Sequence, residues 1–132
     1  MAACIGGGVF DRFPRLRIAF LEAGVGWVPW WLDRLHEHAE GLPRHVPLMR
    51  REPIDYVRAG QAFFSCESDE VTLESALEHL GDDGVMYASD YPHWDCSFPD
   101  SVRMIEARPG LRPAAKQKIL GANASRLYTR LA

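Results

Sequence analysis

Short apolar runs that stop at polar residues, separated by stretches whose apolar residues return every three or four positions, restrict this chain to very few architectures. Residues 16–21, LRIAFL, end at Glu22-Ala23-Gly24 and suit a buried strand entering a turn. Over residues 27–42 the period changes. Trp27, Val28, Trp31, Leu32 and Leu35 recur at helical spacing, with Pro29 in the first turn, which predicts a helix packed by its tryptophan face. Residues 43–53 are rich in proline and arginine and read as a connection; 54–58 suit one or two helical turns closed by Gly60. A second strand, AFFSC, is predicted at 62–66. A helix follows at 70–80 on Val71, Leu73, Ala76, Leu77 and Leu80, with Ser68 and Asp69 as capping candidates. Asp82-Asp83-Gly84 is a turn, and residues 85–89 form a third strand that stops at Asp90-Tyr91-Pro92, where proline disfavours further regular structure. Helices are predicted at about 99–107, 113–120 and 123–131.

Strand, helix, strand, helix, strand, helix is the order of parallel strands joined by crossover helices, hence an α/β fold. A complete eightfold barrel takes ~250 residues. The 132 residues here supply roughly three strand-and-helix units of one, as a single partial domain over 1–132. A hydrophobic content of 47% with 25% charged residues is ordinary for a globular chain. The net charge of −3 and scattered arginines provide no basic stripe for nucleic acid. No apolar run approaches the ~20 residues that span a bilayer, so no membrane partner and a cytoplasmic location are expected. Cys4, Cys66 and Cys96 are odd in number and far apart, which suits reduced thiols.

Three segments carry a family resemblance. They are GVFDRFPRLR at 8–17 running into LEAGVGWVP at 21–29, ASDYPH at 88–93, and ILGANASRLY at 119–128. In this order and spacing the chain resembles the amidohydrolase-related family, which includes the aminocarboxymuconate-semialdehyde decarboxylase type. The resemblance implies a (β/α)8 barrel, a TIM-type fold, of which this chain is the C-terminal half with the sixth, seventh and eighth strands. The N-terminal half would be missing, and a divalent metal, Zn or Mn, would be the cofactor.

Asp90 stands where the third strand ends, and in such barrels the reacting groups project from the C-terminal ends of strands. By resemblance it corresponds to the eighth-strand aspartate that binds the metal and accepts a proton from the water the metal activates; a carboxylate can do both. The bland alternative is a turn-forming Asp before Tyr-Pro. Glu22 ends the first strand, where many family members carry a histidine, and is the second expected metal ligand; it could equally cap the next helix. His93 and Trp94, with Asp95 beside them, and Glu67 at the end of the middle strand are expected to bind substrate. His36-Glu37-His38 imitates the family's H-x-H ligand pair. Two residues apart on a helix lie about 200° apart, however, and cannot meet at one ion, so these histidines are expected to be exposed.

The resemblance implies a metal-dependent hydrolase acting on a small carboxylate, lactone or cyclic substrate, incomplete as this chain. The alternatives are a non-oxidative decarboxylase of the same superfamily and a non-catalytic half-barrel that needs a partner or a second copy of itself.

Overall fold

In the computed structural model, which describes residues 1–129, three short strands make one parallel sheet. They are β1 (Ile18–Phe20), β2 (Ala62–Cys66) and β3 (Val85–Tyr87), in the order β1-β2-β3. Ile18 pairs with Ala62 and Phe64 with Val85, and the register continues residue by residue from each. Strands separated by helices can lie in parallel only if the chain crosses back between them. Here α3 (Val28–Gly41) and α4 (Pro53–Arg58) join β1 to β2, and α5 (Leu73–Leu80) joins β2 to β3. The α/β reading therefore holds.

Alternation along the strands defines the main core. Ala62, Phe64 and Cys66 face the helices with Val85, and they pack with Val28, Leu32, Leu73, Ala76 and Ile105. Trp27 meets Phe64 edge-on at 6.0 Å between ring centroids, and Phe20 stacks on it at 5.7 Å. All five residues of β2 are buried, whereas β1 is only half-buried.

Two short helices at the N-terminus, α1 (Ala2–Gly6) and α2 (Val9–Arg12), had no counterpart in the sequence pattern. They seat Ile5 and Phe10 in the core. The helix expected to pack by its tryptophans does so only through Trp27; the buried residues of α3 are Val28 and Leu32, and Trp30 is 59% exposed. Of the two histidines on that helix, His38 is exposed, but His36 is half-buried, with Nδ1 2.6 Å from Glu52 Oε2.

The helix expected from residue 70 begins at Leu73 instead, because the Glu70 carboxylate binds backbone elsewhere and Val71 is 92% exposed. After α6 (Ser101–Ala107), the two helices predicted at 113–120 and 123–131 are one continuous run. α7 (Pro113–Gln117) passes through a π-helical turn (Lys118–Ala122) into α8 (Asn123–Leu127). Leu131 lies outside the described residues.

Candidate metal centre

Because all three strands run in parallel, the residues that follow them share one end of the sheet. Glu22 comes two residues after β1, Glu67 directly after β2 and Asp90 three after β3. Glu22 and Asp90 both take the left-handed backbone, with φ of 62° and 52°, a region that non-glycine residues enter at a cost and mostly in turns. The abrupt change of direction ends each strand and starts its loop.

Asp90 is half-buried. Its Oδ2 lies 2.8 Å from His93 Nδ1, a contact made by the turn in which the His93 amide donates to the Asp90 carbonyl at 2.9 Å. Asp95, further along the same loop, completes a group of three. One donor atom each from Asp90, His93 and Asp95 lies within 4.8 Å of the others, the one such group among the described residues.

The donors are oxygen and imidazole nitrogen, the set that suits Zn²⁺ or Mn²⁺, and three protein ligands is the usual number at a catalytic zinc. These side chains therefore fit a divalent cation. A shallow cleft beside them is lined by Glu67, Asp69, Asp90, Asp95, Ser89 and Cys96. Burial first, and then the negative charges of Asp69, Glu70, Asp95 and Asp90, push the Glu67 carboxyl above its ordinary range. This end of the sheet is thus a concentration of negative charge that a cation would relieve.

Glu22, expected as the second metal ligand, is not a member of the group. Its backbone N–H donates to Ser65 Oγ at 3.0 Å, while its carboxylate is exposed and makes no hydrogen bond or ion pair among the described residues. Trp94 is 94% exposed and does not line the cleft, whereas Glu67 does. Asp95, named in the sequence only as a neighbour of the pocket, stands with Asp90 and His93.

Two residues with no expected role tie the loops together. Glu70 accepts from the backbone N–H groups of Val25 and Gly26, and Arg108 donates to the carbonyls of Ser68 and Glu70. The signal for Glu70 was Gly24-x-Gly26 beside Glu22, since glycines mark places where another group approaches the backbone closely.

Parallel strands joined by crossover helices, with acidic and imidazole side chains gathered where the strands end, match part of a (β/α)8 barrel and its mouth. The chain belongs to the amidohydrolase family, whose model matches residues 4–130. Among solved structures, 5-carboxyvanillate decarboxylase LigW from Sphingomonas paucimobilis is 29% identical, with a TM-score of 0.77 over 97% of this chain and 38% of that one. The 4-oxalomesaconate hydratase LigJ from Rhodopseudomonas palustris is 28% identical, with a TM-score of 0.71 over 97% and 40%. The 5-carboxyvanillate decarboxylase from Novosphingobium aromaticivorans, solved with manganese and 4-hydroxy-3-methoxy-5-nitrobenzoic acid, is 24% identical and shares the fold at a TM-score of 0.79 over 97% and 37%. The chain thus spans well under half the length of these relatives. No helix among the described residues is long and apolar enough to cross a membrane.

Proposed function

We propose that this chain forms one side of the active site of a metal-dependent hydrolase that acts on a small carboxylate, lactone or cyclic substrate. The observation that carries the reading is the Asp90, His93 and Asp95 group at the end of β3, in a chain of the amidohydrolase family. Asp90 would hold a divalent cation, Zn²⁺ or Mn²⁺, with Asp95 beside it. Such a cation supplies Lewis acidity and lowers the pKa of water.

Within that frame Asp90 has a second carboxylate oxygen with which to accept a proton. His93 fixes the rotamer of Asp90 through Nδ1 and leaves Nε2 for substrate. Glu67 presents a carboxyl that protonates more readily than an ordinary one, which suits a hydrogen-bond donor to a substrate oxygen. Glu22 stands across the mouth as a free carboxylate, better placed to handle a proton or a substrate hydroxyl than to bind the same ion. The remaining ligands and the rest of the pocket would come from the barrel units that this chain does not contain.

Non-oxidative decarboxylation is the second reading. It is favoured by the 29% identity to a 5-carboxyvanillate decarboxylase and uses the same residues. Supplying the protein and Mn²⁺ or Zn²⁺ with lactones and with aromatic carboxylates, while following acid release and carbon dioxide, separates the two. Acid release from lactones, lost in Asp90→Ala, supports hydrolysis; carbon dioxide from the carboxylates supports the lyase. A complete barrel that yields neither across a broad panel overturns both, and leaves a non-catalytic half-barrel.

A further inference from the structure

We infer that Glu70 is a positioning residue for the active-site mouth: it pins the loop that carries Glu22 to the loop after β2, which Arg108 holds in turn. This rests on the reading of the mouth given above, and it concerns a residue that touches neither metal nor substrate there.

The geometry is specific. Glu70 lies in the loop after β2, three residues beyond Glu67, yet its Oε1 accepts from Val25 N at 2.8 Å and Gly26 N at 2.6 Å, both in the loop after β1. Thr72 Oγ1 adds a third donor at 3.1 Å. The β1 loop is shaped to receive that carboxylate. Gly24 has φ +60°, and a Cβ there would stand 2.9 Å from Glu70 Oε1; a Cβ on Gly26 would stand 1.9 Å from Thr72 Oγ1. Side chains at either position would exclude the contact. Glu22 is thereby held from both sides, by Ser65 at its own amide and by Glu70 three and four residues later.

Arg108 braces the same loop after β2 from its other side. It follows α6, the helix that comes after the Asp90 loop, and its guanidinium reaches Ser68 O at 3.0 Å and Glu70 O at 2.7 Å while pairing with Glu74 at 2.5 Å. One arginine therefore fastens the backbone on either side of Asp69 and is itself held by α5. Glu70 Oε2 is buried and has no hydrogen-bond partner, so the carboxylate is kept for what Oε1 does. A residue serving stability alone would not be expected to bring a partly unsatisfied charge to this place.

β1 and β3 flank β2, two strand spacings of ~4.8 Å apart, so the loops that carry Glu22 and Asp90 leave the same end of the sheet on either side of β2. A paramagnetic ion at Asp90 would therefore broaden the Glu22 side-chain signals strongly. The test is NMR of the full chain with Mn²⁺, in wild type, Glu70→Ala and Glu70→Gln, with amide hydrogen exchange measured on the same samples.

In wild type, Mn²⁺ broadens Asp90, His93 and Glu22. In Glu70→Ala, exchange at Val25 and Gly26 rises by about 10- to 100-fold, as for lost hydrogen bonds to a charged acceptor, while the amides of β2 keep their protection. The Glu22 broadening then spreads and weakens, and Glu70→Gln, which keeps the acceptor oxygen, restores it. Unchanged Glu22 broadening in Glu70→Ala, with Asp90 and His93 still affected, overturns the positioning role alone. A rise in exchange over the whole sheet also overturns it, since that marks a stability residue. Absence of broadening at Asp90 and His93 in wild type overturns the metal-site reading and the positioning role with it.

Discussion

Glu67 pays an electrostatic cost at neutral pH that its neighbours make legible. Its folded-state pKa is raised, so the unfolded chain gives up that proton more easily and ionisation favours unfolding. The penalty is fully present above the raised folded value, fades as pH falls from there through the ordinary value of 4.5, and is gone once both states are protonated. Glu67→Gln should therefore raise the melting temperature at pH 7, and the gain should vanish near pH 3; thermal melts across that range check it. Asn123 is a different case. It is fully buried, and its Nδ2 donates to the carbonyls of Asp82 and Val85 at 2.7 Å each, joining α8 to β3 and the turn before it. Asn123→Ala leaves two buried carbonyls without that donor and should cost about 2–3 kcal/mol in urea unfolding. At this scale the sequence showed Asp90, His93 and Glu67 near the ends of strands, because chain order alone places them there. It did not show that Trp94 turns outward or that Arg108 matters, since both depend on loop paths that no periodicity encodes.

The helices show where pattern reading stops. Residues 27–42 do form a helix, and the spacing named its inner face: Val28 and Leu32 are buried, and Trp27 and Leu35 pack against them. Only Trp31 departs from it, lying at the surface tilted against Trp30 with centroids 5.4 Å apart. Leu32→Ala should cost about 2–5 kcal/mol, the range for a buried leucine, and Trp30→Ala should change stability by well under 1 kcal/mol. Chemical denaturation of both variants tests the contrast. α5 was misread at its start for a related reason. Val71 supplied an apolar position in register, but Glu70 is drawn to the amides of Val25 and Gly26, and the helix begins only once that contact is made. The strands were the most legible elements, because each is a short β-prone run with a polar stop. The short helices α1 and α2 were not, since Gly6-Gly7-Gly8 hides their period.

For the whole molecule, the decisive fact is that, among the described residues, both outer strands of the sheet have one edge that pairs with no other strand. Parallel sheets are ordinarily covered on both faces and closed or flanked at their edges. Here β1 is only half-buried, and Phe13, Leu16, Leu21 and Trp30 are exposed on the segments around it. Apparent mass by light scattering should therefore rise with concentration for this chain. Adding a polypeptide that supplies the preceding strands of the barrel should suppress that rise in favour of a one-to-one complex. The alternation of elements and the family segments make a partial barrel readable in the sequence; how far its open edges are tolerated is not, because solvation of an edge leaves no mark there. The most direct measurement is Mn²⁺ and Zn²⁺ binding to the purified chain, with elemental analysis, in wild type and Asp90→Ala. One equivalent bound by wild type, weakened at least about tenfold in the variant, is the predicted result. Equal binding by both proteins, or none by either, would contradict a metal centre built on Asp90.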